Sequence, residues 1–325
     1  MSETRRGRRQ GALSKLFVES SRTRRAFERM DELIENGWEE HFCRALLLLG
    51  PSRAGKTRIV NRFRTERSRP VEEGGKGWKI ITVEVPSNCT LKSFATDVLT
   101  VLGDPDPEYG SEPDKTRRIA ELVEKMEVDL IVIDEVQRLI DADTDKVKRT
   151  VANWLTAILN KRVCPLLLVG EKTAERVFDG SMHLQGRTLG QVPVDAYDWA
   201  EETDQKEFRA FLHMVEGQLG LPEKSGLATV DTALRIYAFS EGLLGQAVTL
   251  IGQAKTIAAR KGRPCISHEI LAQAVDELRI GRARSVMNPF RVASVKAVVP
   301  AGKAEPELEA PRKRRGRPKA VEQAA

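Results

Sequence analysis

Residues 45–57, ALLLLGPSRAGKT, constrain this chain more than any other stretch. Five apolar residues run into Gly50-Pro51-Ser52-Arg53-Ala54-Gly55-Lys56-Thr57, which fits the pattern G-x-x-x-x-G-K-[ST]. That pattern calls for a buried strand, a glycine-bounded loop and a helix in direct succession. Backbone N–H groups of such a loop turn inward and meet a phosphate at the helix N-terminus, where the helix dipole favours negative charge. Gly50 to Arg58 are therefore the expected nucleotide cradle. Lys56 would reach the β- and γ-phosphates and the Thr57 hydroxyl would ligate Mg²⁺, making ATP and Mg²⁺ the expected cofactors.

A second element gives the loop a chemistry. Leu130-Ile131-Val132-Ile133-Asp134-Glu135 is an apolar strand ending in two carboxylates. It is predicted to lie beside the strand before the loop, with Asp134 holding Mg²⁺ and Glu135 polarising a water as general base. Strands are predicted at 45–49, 78–85, 129–133, 165–169 and 191–194. Helices at 58–67, 90–102, 114–126 and 146–161 alternate with them. Alternation with continuous apolar runs predicts an α/β fold, a parallel five-stranded sheet flanked by helices. Past Asp195 the strand signals stop, and 204–219, 231–239, 243–260 and 267–278 read as four helices of a smaller all-helical domain. The expected organisation is a basic N-terminal segment (1–25), a nucleotide-binding domain (26–198), a helical domain (199–285) and a disordered basic tail (286–325).

Charge is uneven along these 325 residues. Residues 1–25 carry eight Arg/Lys against two Glu, and 291–325 carry nine against four. The net charge is +6, so the stretch between those ends has a net of about −5. Basic ends on a mildly acidic body point to nucleic-acid contact. No apolar run approaches the ~18 residues that span a bilayer, and the N-terminus lacks the apolar middle of a signal peptide. No membrane association and a cytoplasmic location are expected. Cys43, Cys89, Cys164 and Cys265 form no C-x-x-C pair, so free thiols are expected rather than zinc or disulfides.

An additional strand between the loop and the acidic strand, and a Glu directly after the Asp, resemble the AAA+ branch of P-loop ATPases. The helical domain is similar to an AAA+ lid. The resemblance implies a polar sensor after the fourth strand, where Glu171 stands, and a lid arginine near Glu241 to Gln246, where Gln246 stands. Both depart from the usual pattern. It also implies an arginine finger supplied by a neighbouring subunit, with Arg187 the candidate catalytic finger beside Lys56 and Glu135, and Arg176 its competitor.

The segments GPSRAGKT, VEVPSNCTLKSFATDVLTVLGDP, LIVIDEVQRL and LLLVGE are similar to the TniB/TnsC group of transposition ATPases. The I-D-E-x-Q run at Ile133 to Gln137, and Pro86, Thr90 and Leu102-Gly103, carry that resemblance. It implies an ATP-hydrolysing regulator that oligomerises as a ring or filament on double-stranded DNA and recruits a DDE-type transposase and a TniQ-like target selector. The alternatives are a helicase loader or initiator-like DNA remodeller, and a nucleotide-gated DNA scaffold with vestigial hydrolysis. The family places DNA contacts on elements after the second strand, where Lys92, Lys115, Arg117 and Arg118 are the candidates. In the tail, Arg315-Gly316-Arg317-Pro318 resembles an AT-hook, an extended Gly-Arg-Pro core suited to a narrow A·T minor groove.

Overall fold

The computed structural model describes residues 17, 19–68, 77–141, 144–161, 163–179, 181–278 and 287–295. Helix α1 (Ser21–Asn36) starts at Ser20. The Thr23 N–H donates to the Ser20 hydroxyl, and the Ser20 N–H donates to the Thr23 hydroxyl. This reciprocal cap satisfies two donors that a helix start otherwise leaves unpaired. Strand β1 (Ala45–Leu49) then leads through the phosphate-binding pattern into α2 (Lys56–Arg67).

The chain continues as β2 (Ile80–Glu84), the hairpin of α3 (Leu91–Val101) and α4 (Glu112–Lys125), and β3 (Leu130–Asp134). Next come α5 (Asp145–Asn160), β4 (Leu166–Gly170), a 3-10 turn (Lys172–Phe178), α6 (Met182–Gln185) and β5 (Thr188–Pro193). All pairings are parallel, in the order β2-β3-β4-β1-β5.

That order corrects one expectation. The acidic strand β3 does not lie beside β1, because β4 is inserted between them. Asp134 must therefore reach the loop across the end of β4, and β4 ends there in Gly170, which has no side chain to obstruct it.

The sheet is covered on both faces, and β1 shows why its apolar run is unbroken. Leu46 and Leu48 pack against Ala26, Met30 and Leu33 of α1 and Ile59 and Phe63 of α2. Leu47 and Leu49 belong to the opposite core, with Phe94 and Leu99 of α3, Ile119 of α4 and Leu155 of α5. Successive strand residues point to opposite faces, so a strand buried on both sides has no polar position to spare.

The helical domain has its own core. Phe208 and Leu212 of α7 (Glu202–Gly217), Ile236 and Tyr237 of α8 (Val230–Ser240), Leu250 and Ile251 of α9 (Leu244–Arg260) and Leu271 of α10 (His268–Leu278) form one cluster. Residues 287–295, within the stretch expected as a disordered tail, pack on it through Phe290. Asn288 is buried and donates to the Ala272 carbonyl at 2.8 Å and the Asp276 carboxylate at 2.7 Å. The Arg235 guanidinium donates to the carbonyls of Pro289, Val292 and Ala293. An arginine carries five donors in a fixed fork, which suits a set of carbonyls that sequence patterning does not reveal.

No disulfide joins the four cysteines, and Cys43 and Cys164 are buried. No helix among the described residues is long and apolar enough to cross a membrane. Residues 1–16 and 18 of the expected basic segment (1–25) and the AT-hook-like residues Arg315, Gly316, Arg317 and Pro318 lie outside the described residues.

Phe94 tests the larger core. It is fully buried and meets Trp154 edge-to-face at 5.8 Å, while the Trp154 indole donates to Thr116 at 3.0 Å. Phe94→Ala is expected to cost about 3–5 kcal/mol, read by denaturant unfolding followed by tryptophan fluorescence.

Candidate functional site

Gly55 caps α2 in the left-handed region at φ 104°, a conformation without steric cost only for glycine. No side chain caps this helix and no acid lies in its first turn. Its leading N–H groups therefore face the cavity without an internal anion, which is what a phosphate site requires. Arg53, also left-handed at φ 64°, completes the turn. The cavity holds about 430 Å³ and is lined by the loop from Ser52 to Arg58 and by Glu135, with Phe17, Tyr197 and Leu244 on its apolar side.

Lys56 is buried, and its ammonium donates to the carbonyls of Gly50 at 2.7 Å and Pro51 at 2.9 Å. Burial pulls its proton affinity down, and the carboxylates of Glu135, Glu171 and Asp134 oppose that in this order. The Thr57 hydroxyl donates to Asp134 Oδ2 at 2.8 Å, while Asp134 Oδ1 accepts the Glu135 N–H at 2.9 Å. Asp134 is buried, and desolvation pushes its carboxyl above the usual range against those two hydrogen bonds.

A hydroxyl and a buried carboxylate in contact make a hard oxygen donor set, which fits Mg²⁺. Glu135 turns sharply off β3 in the left-handed region at φ 59°, which no preceding sequence signal announces. Its carboxylate accepts from Gln137 Nε2 at 2.8 Å and lies 3.4 Å from Arg138. Gln137 in turn accepts the Glu171 N–H at 3.1 Å, at the end of β4.

The lid meets the loop through backbone. The Gly245 N–H, in the first turn of α9, donates to the Arg53 carbonyl at 3.1 Å. A Cβ at position 245 would lie 2.7 Å from that oxygen, so the close approach depends on glycine. Gly245 and Thr249 line the cavity. Leu244 and Gly245, beside the position where the resemblance implies a lid arginine, thus meet the loop side of the cavity.

Phe17 and Ser20, before α1, and Arg22 and Thr23 in its first turn also line the cavity. Arg22 lies 4.0 Å over the Tyr197 ring and donates to Asp204 at 2.7 Å, tying α1 to α7. Sequence reasoning did not assign Phe17, Arg22 or Tyr197 to the site. Their only signal was aromatic and basic character, which many surface segments share.

Arg187 stands at the far end of the sheet. Its carbonyl accepts the N–H of Ala45, the first residue of β1, while the phosphate loop follows the last. Five strand residues separate the two ends, roughly 16 Å. Its guanidinium lies 5.0 Å over the Phe42 ring and donates to the His183 carbonyl at 2.7 Å. Arg187 thus has no access to the loop of its own chain. Arg176 instead lines a shallow depression with Gln137 at the loop end of the sheet.

The DNA-contact candidates divide. Lys92 and Arg117 are exposed, Arg117 pairing with Glu121 at 2.7 Å. Lys115 is corrected: it is fully buried, with its ammonium on Thr96 Oγ1 at 2.9 Å and on the Pro107 carbonyl. Arg118 also turns inward, to the Asp106 carbonyl at 3.0 Å and Asp104 at 3.4 Å. Both hold the loop between α3 and α4 to the hairpin, where the Asp106 carbonyl also accepts the Tyr109 N–H and Asp104 the Asp106 N–H.

A parallel sheet with Lys56, Thr57, Asp134 and Glu135 gathered at one end, followed by a helical lid, defines an AAA+ P-loop ATPase fold. Solved structures agree on the fold. The Aeropyrum pernix ORC1 protein in complex with DNA superposes with a TM-score of 0.64 at 18% identity, over 82% of this chain and 68% of that one. The ORC2 protein of Aeropyrum pernix gives 0.63 at 15% identity, over 83% and 72%. Cdc6p from Pyrobaculum aerophilum gives 0.58 at 15%, over 83% and 71%. No curated relative matches the sequence. Residues 9–190 match the family described as bacterial TniB protein, and the chain belongs to that family.

The carboxyl of Asp134 yields a pH prediction. Its folded proton affinity is raised, so the nucleotide-free protein binds this proton more tightly than the unfolded chain does. The stabilisation from the protonated form is present at low pH and is lost as pH rises through the folded value. Asp134→Asn is expected to melt no lower than wild type in EDTA at pH 8 and to lose that pH dependence. It is also expected to lose any rise in melting temperature caused by ATP with Mg²⁺, read by thermal denaturation.

Proposed function

We propose that this protein is an ATP-hydrolysing, DNA-binding regulator of transposition that assembles on double-stranded DNA and recruits or activates a transposase. One observation carries the reading: the TniB match spans both the phosphate loop and the Asp134–Glu135 pair. The partners proposed with it are a DDE-type transposase and a TniQ-like target selector. The likeness in fold to the ORC proteins favours an initiator-like DNA remodeller as the second reading. Stimulation of a transposase encoded beside this protein separates the two, and absence of stimulation with DNA remodelling intact favours the second.

In the proposed reaction the α2 N-terminus and the Lys56 ammonium bind the triphosphate, the ammonium leaving the Gly50 and Pro51 carbonyls to do so. Thr57 and Asp134 would hold Mg²⁺, which neutralises phosphate charge when bound. Glu135 accepts the proton of the attacking water. Arg187 acts on the site of a neighbouring copy, a role supported by its distance from its own loop. Assembly thus completes the site, and DNA is the proposed scaffold for assembly. Lys92 and Arg117 remain proposed phosphate contacts, which confer affinity with little sequence preference.

Glu135→Gln is expected to lower the ATP turnover rate about a hundredfold or more while prolonging residence on DNA with ATP. Turnover assays and DNA dissociation kinetics check this, and unchanged turnover would sink the hydrolytic reading. Removal of residues 308–325, which contain the AT-hook-like stretch, is expected to weaken DNA binding and erase any preference for A·T-rich competitor DNA. A competition binding assay reads both effects.

A further inference from the structure

Gln137 is a buried amide whose two ends both meet groups of the site. Its Nε2 donates to Glu135 Oε2 at 2.8 Å, and its Oε1 accepts the Glu171 N–H at 3.1 Å. A carboxylate only accepts and a backbone N–H only donates, so the side chain joining them must do both. At this length, glutamine is the neutral side chain that does so. The orientation of the amide is fixed by these partners, because a flipped amide would set oxygen against carboxylate and NH₂ against N–H.

The surroundings are shaped to admit it. Gly170 ends β4 beside Gln137, and a Cβ there would lie 2.4 Å from Gln137 Oε1. Arg138 is the other group near the Glu135 carboxylate, but at 3.4 Å. Its closer bonds go to the Val85 carbonyl at 2.6 Å and to Glu84 at 2.9 Å. The shorter and more enclosed contact to Glu135 is therefore the one from Gln137. Without it, a glutamate leaving β3 through a left-handed turn has three side-chain torsions to search.

We infer that Gln137 is a positioning residue. Its amide fixes the Glu135 carboxylate against the end of β4, so that the base is already oriented when nucleotide enters the cavity. The inference rests on the proposed hydrolytic role of Glu135. It assigns Gln137 no contact with nucleotide, and indeed Gln137 is absent from the cavity lining while Glu135 is part of it. It also explains why the chain has glycine at 170, where a parallel-sheet strand favours a branched apolar residue.

Two variants of the full-length protein test this. Gln137→Met keeps the volume and removes both bonds. Gln137→Glu keeps the acceptor for the Glu171 N–H and puts a second carboxylate against Glu135. Wild type, Glu135→Gln and both variants are compared for kcat, KM, binding of a fluorescent ATP analogue and melting temperature. A catalytic group displaced by about 1 Å costs up to about a hundredfold. The expected result is a kcat lowered about tenfold to a hundredfold in Gln137→Met and further in Gln137→Glu, with KM and analogue affinity within about twofold of wild type.

A kcat equal to wild type in Gln137→Glu overturns the inference. So does a loss confined to KM and analogue affinity, which would mean that Gln137 only shapes the cavity. Should Gln137→Met melt early, Gln137→Glu decides the matter, since it retains the Glu171 bond. If wild type and Glu135→Gln turn over ATP equally poorly, the hydrolytic reading itself fails and this inference fails with it. That pattern is distinct from an active wild type with an indifferent Gln137.

Discussion

The contact between the Thr57 hydroxyl and Asp134 joins residues 77 positions apart, and the rest of the site is arranged around it. It requires β1 and β3 to end within about one residue of each other with a third strand between them. The register provides this: Leu49 pairs with Gly170, and Ile133 pairs with Leu168. A slip of one residue in any of these strands would exchange the residues facing the two cores and would carry Asp134 off the loop. The apolar packing on both faces of the sheet therefore does more than stabilise it, because it holds the position of a carboxylate.

Electrostatics at this point are unbalanced by design of the fold. One buried ammonium, Lys56, faces Glu135, Glu171 and Asp134. Burial works against both signs of charge, lowering the proton affinity of Lys56 and raising that of Asp134. Groups held this way gain when an anion with its own cation enters, since the added charges replace lost hydration. Strain adds to the picture: Arg53 and Glu135 are non-glycine residues in the left-handed region, and both line the cavity.

The lid is coupled to this centre by few but specific contacts. The Gly245 N–H reaches the Arg53 carbonyl, and Arg22 bridges α1 to Asp204 while lying on Tyr197. Farther out, Arg235 and Asn288 bind residues 287–295 to α8 and α10.

Much was legible in the sequence because it depends on local pattern. The phosphate loop, the acidic strand end, the alternation of strands and helices and the four lid helices each follow from residue type and spacing over a dozen residues. Lys115 was not legible. A lysine on a helix reads as surface, and only the carbonyl of Pro107 and the hydroxyl of Thr96, brought to it by the α3–α4 hairpin, make it an interior residue. The same holds for Gly245, whose role comes from a loop nearly two hundred residues away in the chain. By itself the sequence determined the chemical groups at the site and the elements that carry them. Tertiary structure alone decided that β4 separates β3 from β1, that Gln137 crosses the gap above Gly170, and that Arg187 stands a sheet's length from its own loop. Strand order and close approach are set by packing between distant segments, which no local pattern encodes.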